Sequence, residues 1–347
     1  FAMKAIKDAG ISLSKRIELY VYMAEESDWQ PLEEFIKGHE LPGMNITLDS
    51  EYPVVSAEKG YGSIKMTFPD KKIAAGSVYL SHFSGGFFGS QIPEDALAVI
   101  ENVDAALIKR LKARAGGYKS LAFDFIVTGQ QLTIKAQGTS AHSSKPEAGV
   151  NAITHLADLL ADIRWPDNAA GALVNFLNDH LGTGLYGKKF GDIAYRDDFM
   201  GPMTIQPTVL TREKGGIVLN INLRRPQGKS TAQLETEIRA TLKQWQQKNM
   251  VALTNISTWI GEPFVQQDAP QTETLLSVFS HYTGIENPQP IAIGGSTNSK
   301  LFPRAVSFGP SMPGKTYSGH SEHEFISQAQ FKLNLKMYTA VLIELAK

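Results

Sequence analysis

Two adjacent carboxylates, Glu25 and Glu26, directly follow a short apolar run, and carboxylates can serve acid–base or metal chemistry. The run from Ile17 to Met23 is rich in β-forming residues and too short for a typical helix, so it predicts a buried strand. In open α/β sheets, ligands bind beyond the carboxyl ends of the strands. Because successive side chains of an extended segment point to opposite sides, one carboxylate could bind a metal while the other faces a metal-bound water. A solvated acidic turn is the alternative for this pair taken alone.

The composition excludes several classes of protein. The 34 basic and 35 acidic residues are scattered and give a net charge of -1, which argues against a nucleic-acid-binding surface. The chain contains no cysteine, which excludes disulfides and thiolate ligands, so any metal must be held by His, Asp or Glu. No apolar run approaches the length of a transmembrane helix. We expect a cytoplasmic rather than a periplasmic protein, although the lack of cysteine is compatible with both.

Three further stretches carry residues that could do chemistry. Residues 48–53 read Leu-Asp-Ser-Glu-Tyr-Pro and include Asp49. His142 lies among small residues in the stretch 138–151 and could be an ordinary loop residue. His320 precedes the last predicted helix and could be a surface residue.

The Glu25-Glu26 pair, the spacing from Glu26 to Asp49 and the Asp-Ser-Glu-Tyr-Pro run resemble a known family. They are similar to the dinuclear zinc peptidases of the aminoacylase superfamily, and most of all to its PepV-type dipeptidase branch. Further agreements extend over nearly the whole chain.

The length and the resemblance together imply two domains. A chain of 347 residues with 42% hydrophobic content can bury a core large enough for them. The resemblance implies an α/β fold, in which residues 1–59 and 263–347 form a mainly parallel-sheet zinc-peptidase catalytic domain. Residues 60–262 would form a large inserted α+β lid domain. Because this lid resembles two dimerisation modules fused in one chain, we expect a monomer whose own His142 completes the site.

For the metal site, the resemblance implies that Glu26 and His320 bind one zinc ion and that Asp49 binds the other. Glu25 would act as the general base. His323 falls where the family has no ligand, so we expect it to be a surface residue or a neighbour of the site. The complete protein is expected to hold two zinc ions per active site, and Mn²⁺ or Co²⁺ would tolerate the same ligands.

The remaining metal ligands of the family are a His-x-Asp motif and a bridging Asp, and no His-x-Asp occurs among the eight histidines of this chain. In the family they precede the region that matches the start of this sequence. We therefore expect that an amino-terminal segment is missing from the 347 residues. On their own, these residues would then hold three of five ligands, bind zinc weakly and be inactive.

For substrate binding, the resemblance assigns His142, within a Ser-Ala-His…Pro-Glu-x-Gly-x-Asn-Ala signature, to the scissile carbonyl oxygen. That role needs a hydrogen-bond donor aimed where negative charge develops. Arg224 matches the strand-end Arg that binds the substrate's terminal carboxylate, a task that suits a guanidinium fork. Gly294 and Gly295 match a Gly-Gly stretch that contacts the same carboxylate, although an ordinary turn is the alternative. Ser90 stands where these dipeptidases usually have Asn, so the substrate preference is expected to differ.

The strand predicted at 216–224 alternates between apolar and polar residues. The predicted core face comprises Ile217, Leu219, Ile221 and Leu223. The predicted accessible face comprises Asn220, Asn222 and Arg224.

Other elements are predicted from periodicity and capping residues. Residues 121–127 and 131–136 predict a hairpin. Capping boxes at 230–233 and 327–330 predict two helix starts. A helix beginning at Pro93 is predicted from the apolar stripe of Leu97, Ile100, Leu107 and Leu111.

The resulting prediction is metal-dependent hydrolysis of dipeptides or short peptides that have a free C-terminal carboxylate, through a metal-bridging water. An N-acyl-amino-acid deacylase or carboxypeptidase of the same superfamily would share every catalytic residue. An inactive fragment that binds peptides is the third hypothesis. The expected partner is a peptide substrate, with no nucleic acid and no membrane.

Overall fold

The computed structural model describes residues 1–25, 28–315 and 324–347, so Glu26, His320 and His323 lie outside the described residues. Within these ranges the chain forms eight α-helices and nineteen β-strands, an α/β architecture that confirms the predicted fold class. The helices are α1 Ala2–Asp8, α2 Gln30–Lys37, α3 Ala105–Ala115, α4 Ala152–Leu159, α5 Ala169–His180, α6 Thr231–Asn249, α7 Thr272–Thr283 and α8 Gln328–Ala346. None of these helices is long and apolar enough to cross a membrane.

The strands are mostly short outside the largest sheet. They are β1 Asn45–Thr47, β2 Ser50–Glu51, β3 Val55–Glu58, β4 Gly60–Pro69, β5 Tyr79–Gly85, β6 Gln91–Ile92, β7 Asp95–Glu101, β8 Ala122–Thr128, β9 Gln131–Gln137, β10 Ala141–His142, β11 Arg196–Asp197, β12 Gly201–Pro202, β13 Thr204–Glu213, β14 Gly216–Arg225, β15 Thr254–Ile260, β16 Phe264–Val265, β17 Ile291–Ile293, β18 Ala305–Ser307 and β19 Pro310–Ser311.

The chain divides into two compact units. The first combines Phe1–Glu58 with Phe264–Lys347, and the second is the continuous stretch Lys59–Pro263. The sequence prediction placed the corresponding limits of the inserted domain at 60 and 262.

In the first unit, strand β3 lies at the centre of a five-stranded mixed sheet. The pairs β1/β18 and β17/β3 are parallel, whereas β18/β3 and β16/β3 are antiparallel. A separate parallel pair joins β2 to β19. The core of this unit includes Tyr52, Val54, Leu275, Phe279, Phe308, Met337 and Val341.

The strand predicted from Ile17 to Met23 does not form, so that prediction was wrong. Leu19 is 68% exposed, Val21 73% and Met23 90%, so the apolar side chains on one side of the segment face solvent. Tyr20 on the other side packs against Phe35, with ring centroids 5.8 Å apart. A strand needs a neighbour to satisfy its backbone hydrogen bonds. Among the strands that the structure describes, none pairs with this segment, and β-propensity alone does not create a sheet.

In the second unit, eight strands form an antiparallel sheet in the order β15-β4-β14-β13-β5-β7-β9-β8. The side chains of Ile217, Leu219, Ile221 and Leu223 in β14 are fully buried, which confirms the predicted core face. Helices α4, α5 and α6 contribute further side chains to the same core, and Ser230 caps α6 as predicted by accepting from the Gln233 amide.

The predicted helix at Pro93 was wrong, because residues 95–101 form strand β7. Ala96, Ala98 and Ile100 are buried, so the burial repeats every two residues as a half-buried strand requires. The helix that follows is α3, which begins only after its N-cap Asp104. The apolar stripe therefore combined residues of two elements. The predicted hairpin, by contrast, is present as β8 and β9.

Candidate active site

Arg224 near the end of β14 is the centre of a polar cluster in the second unit. Its side chain is buried at 5% exposure, which corrects the predicted accessible face. The guanidinium lies 4.9 Å from the centre of the Tyr61 ring, and its Nη2 donates to the Ser143 hydroxyl over 3.3 Å. Its Nε lies 3.3 Å from the side-chain oxygen of Asn222, which is also buried. These neighbours shield the Arg224 side chain from solvent. The alternation of residues along one strand does not reveal them.

Burial lowers the pKa of Arg224 to about 10, because a low-dielectric surrounding disfavours the charged guanidinium. The side chain still carries its charge at neutral pH. Strongly perturbed ionisable groups are concentrated at functional sites. This observation therefore favours a role in binding an anion over a role in solubility.

His142 directly precedes Ser143, the residue that accepts a hydrogen bond from Arg224. Its strand β10 pairs with β6 so that His142 stands opposite Gln91. The Ser144 amide points to His142 Nδ1 over 3.3 Å, and the Ser144 hydroxyl lies 2.6 Å from the same nitrogen. Because an amide N–H can only donate, Nδ1 must accept, and the neutral ring then carries its proton on Nε2. The half-buried ring therefore presents an N–H donor on its far side.

The loop 86–90 brings Ser90 to the same cluster. The Asn222 amide donates to the Gly89 carbonyl over 2.7 Å, and the Ser143 amide donates to the Ser90 carbonyl over 2.8 Å. Hydrogen bonds made by Ser143 thus connect two predicted substrate-binding positions, Ser90 and Arg224, and the third, His142, is the chain neighbour of Ser143. Neither Ser143 nor Asn222 was predicted as a site residue, and no motif in the sequence singles them out.

Gly86 supports this loop, and Gly86→Ala is expected to lower the free energy of unfolding by at least about 3 kcal/mol. Its φ is +73°, and an added Cβ would lie 1.9 Å from the Thr208 carbonyl oxygen. Gly129→Ala is the matched control, because Gly129 has a φ of +60° and no atom of the described residues lies within 4 Å of the added Cβ. This control carries only the conformational penalty of about 1 kcal/mol. Urea unfolding measures both variants, and equal losses would contradict the steric argument.

In the first unit, the predicted general base Glu25 is half-buried and its backbone is anchored. The indole N–H of Trp29 donates to the Glu25 carbonyl. The Lys300 ammonium lies 4.7 Å over the Trp29 ring and donates to the Ser296 hydroxyl over 2.9 Å. These contacts connect the Glu25 backbone to the segment that follows Gly294 and Gly295.

Asp49 is exposed. The pKa of Tyr338 in α8 is raised mainly by burial, and the negative charge of Asp49 raises it further. The other two predicted metal ligands, Glu26 and His320, lie outside the described residues. Within residues 1–25, 28–315 and 324–347, no three His, Asp or Glu side chains lie close enough together to hold a metal ion. The described residues therefore do not form a metal site by themselves, and the zinc site stays a prediction from the sequence.

Gly294 is buried and Gly295 half-buried at the end of strand β17. Among the residues that the structure describes, a Cβ added to Gly295 would come close to one atom, the Ile293 Cδ1 at 3.7 Å. These residues leave this side of Gly295 open, as a backbone segment that contacts a ligand requires.

Gly295→Ala is therefore expected to leave the free energy of unfolding within about 0.5 kcal/mol of the native value. The methyl group would narrow the approach to the backbone and weaken binding of a carboxylate ligand about tenfold, or 1.4 kcal/mol. Calorimetric titration with a dipeptide, in the presence of a metal chelator that prevents turnover, measures the binding, and thermal unfolding measures the stability. Unchanged affinity would show that this segment is an ordinary turn.

Glu58, a further carboxylate of the first unit, was not predicted from the sequence. It ends strand β3 and is only 2% exposed, with hydrogen bonds from Thr297 and Ser299. The available signal was the charged pair Glu58-Lys59 directly after the largely apolar run 54–57, since a buried charge must be paired or hydrogen-bonded.

Comparisons with known proteins identify relatives of this chain. Residues 130–249 match the family model of the peptidase dimerisation domain M20_dimer. The chain is 29% identical over 353 residues to the putative dipeptidase YtjP of Bacillus subtilis (strain 168), covering 100% of this chain and 73% of that protein. It is 28% identical over 350 residues to the beta-Ala-Xaa dipeptidase of Lactobacillus delbrueckii subsp. lactis, covering 100% of this chain and 72% of that protein. The crystal structure of human carnosine dipeptidase 1 aligns with a TM-score of 0.49 and 11% identity, covering 99% of this chain and 68% of that one.

The match to the dimerisation-domain model corrects the prediction that the protein is a monomer. The matched segment lies within the second unit, and its family is described as a dimerisation domain. The comparison therefore favours dimers over the monomer that the long inserted domain had suggested.

Proposed function

We propose that this protein hydrolyses dipeptides or short peptides that have a free C-terminal carboxylate, as a member of the PepV-type dipeptidase branch of the aminoacylase superfamily. The observation that carries the proposal is the buried Arg224, joined through Ser143 to His142 with its Nε2–H donor. Such a pair can hold a substrate carboxylate and a scissile carbonyl at the same time. Similarity to dipeptidases over the whole chain supports the same chemistry.

Arg224 would bind the terminal carboxylate of the peptide. A guanidinium presents a planar fork of N–H donors that matches both oxygens of a carboxylate. Its partly desolvated position strengthens this attraction, because charges interact more strongly where water is excluded. The backbone of Gly294 and Gly295 in the first unit is the other predicted contact of a substrate carboxylate.

His142 would stabilise the negative charge that develops on the scissile carbonyl oxygen. Its Nε2–H is the donor, since Nδ1 accepts from the Ser144 amide. A donor fixed in place before the reaction begins is worth about 10²–10³ in kcat. Glu25 would take the proton from the attacking water and then deliver it to the leaving amine.

Zinc belongs to this proposal as the predicted cofactor, with Glu26, Asp49 and His320 as ligands and with Mn²⁺ or Co²⁺ able to use the same residues. When bound, a metal pair would lower the pKa of a shared water toward neutrality. Of the three ligands, Asp49 is the one whose position is described.

The proposal is tested with a panel of dipeptides and N-acyl amino acids, assayed with the protein isolated from its own cells. Preferred turnover of dipeptides supports it. Preferred turnover of N-acyl amino acids, or of longer peptides, would favour a deacylase or carboxypeptidase, which would use the same catalytic residues. Binding of peptides without turnover, in a sample that contains no zinc by metal analysis, would identify a non-catalytic peptide-binding protein. Intact-mass measurement defines the polypeptide that is assayed.

A further inference from the structure

The Glu58 carboxylate accepts three hydrogen bonds from one short loop of the first unit. The Thr297 amide donates to Oε2 over 3.0 Å, and the Thr297 hydroxyl donates to Oε1 over 2.5 Å. The Ser299 hydroxyl donates to the same Oε1 over 3.0 Å. All three residues are buried, so this is a desolvated cluster rather than a surface contact.

Burial raises the pKa of Glu58, and the three donors act in the opposite direction by stabilising its charged form. A buried carboxylate is costly unless its oxygens receive hydrogen bonds. Maintaining such a group at this position therefore requires the loop to keep one conformation, because any displacement of Thr297 removes two of the three donors at once.

The backbone of Glu58 fixes the other end of the same loop. Strand β17 pairs with β3 in parallel, and the register places Ile293 opposite Glu58. Glu58 thus holds Ile293 through backbone pairing in the sheet and Thr297 through hydrogen bonds to its side chain. The segment between them is Gly294-Gly295-Ser296, which includes the two glycines proposed to contact the substrate carboxylate.

The polar side chains of this loop are already engaged by the protein. The Thr297 hydroxyl bonds to Glu58, and the Ser296 hydroxyl accepts from Lys300. What the segment can present to a ligand is therefore its backbone, on the side of Gly295 that the described part of the chain leaves open.

We infer that Glu58 is a positioning residue, which fixes the segment 294–296 so that its backbone amides bind the terminal carboxylate of the substrate. This inference rests on the proposed function. It identifies Glu58 as the residue on which the protein's selectivity for a free C-terminal carboxylate depends. Glu58 itself does not touch the substrate. It acts through Thr297, over a distance of 239 residues in sequence.

The test compares binding of a dipeptide with binding of the same dipeptide amidated at its C-terminus. A merely structural residue would affect both ligands alike, whereas loss of positioning affects only the free carboxylate. The informative variant is Thr297→Val, which removes the hydroxyl and keeps the shape of the side chain. Thr297→Ser is the matched control, because it retains the hydroxyl. Glu58→Gln tests the other partner, since its amide group would direct a donor toward the donors of Thr297.

We expect Thr297→Val and Glu58→Gln to weaken dipeptide binding about tenfold, the effect of one hydrogen bond to a charged group. Binding of the amidated dipeptide should stay within about twofold of the native value, and Thr297→Ser should retain most of the native selectivity. Calorimetry is performed in the presence of a metal chelator, so that the dipeptide is not hydrolysed, and at a temperature at which circular dichroism shows every variant to be folded. Equal weakening of both ligands, or of neither, would overturn the inference and leave the proposed function intact. If the native protein binds neither ligand, the proposed function itself fails, and the inference fails with it.

Discussion

Glu25→Gln is expected to lower kcat for dipeptide hydrolysis by about 10²–10⁴-fold, because the amide cannot accept the proton that a general base must take from water. The substrate contacts proposed for Arg224 and His142 do not involve Glu25, so KM should change little. The anchor made by the Trp29 indole uses the Glu25 backbone carbonyl and survives the substitution. Steady-state kinetics measures both parameters.

Glu33→Gln is a suitable control for this prediction, since Glu33 is an exposed carboxylate in α2. It removes the same charge from a neighbouring element and should leave kcat near the native value. Circular dichroism verifies that both variants are folded. Turnover by Glu25→Gln within about twofold of the native rate would exclude Glu25 as the general base.

Arg224→Met is expected to raise KM for dipeptides about 100-fold, because two charge-assisted hydrogen bonds to the carboxylate are lost. The free energy of unfolding should fall by less than in Arg225→Met, because the hydrogen bonds of Arg224 to Ser143 and Asn222 are long, at 3.3 Å. The pKa of Arg224 is lowered to about 10 by burial, which means that the charged guanidinium is less stable in the folded protein than in the unfolded chain. Methionine is apolar and similar in length, so Arg224→Met removes the free-energy cost of burying this charge. Arg224→Lys should not restore binding, since an ammonium cannot form the bidentate contact.

Arg225→Met provides the matched control, because this adjacent arginine is also buried but is held by structural contacts. It donates to the Thr231 hydroxyl over 2.7 Å and to the Lys229 carbonyl over 2.6 Å, and it forms an ion pair of 3.1 Å with Glu262. Glu262 is largely exposed, so the ion pair itself contributes little. We expect Arg225→Met to lower stability by about 2 kcal/mol from the lost hydrogen bonds. A larger loss of stability in Arg224→Met than in Arg225→Met would contradict the proposed division of roles.

The sequence predicts best where local pattern and tertiary environment agree. Alternation identified the core face of β14, and the capping residue Ser230 identified the start of α6, because both signals depend on near neighbours in the chain. Alternation could not show that Arg224 is covered, since the cover comes from Tyr61 and Ser143, which are distant in sequence.

Two of the errors also come from partners that are distant in sequence. The segment 17–23 has the composition of a strand, but pairing depends on a neighbour that composition does not specify. Glu58 was missed because its partners Thr297 and Ser299 lie 239 and 241 residues away. Of the candidate site, the sequence therefore provided individual residues, whereas the connections through Ser143, Asn222 and Glu58 required coordinates.

The most direct test of dipeptide hydrolysis is the release of free amino acids from a dipeptide and from its C-terminal amide, measured with the protein isolated from its own cells and supplied with zinc. We expect the dipeptide to be cleaved, the amide to be cleaved far more slowly, and Glu25→Gln to remove nearly all of the activity. Equal cleavage of the two substrates, or no cleavage of either by the zinc-supplied native protein, would contradict hydrolysis of dipeptides through recognition of their free carboxylate.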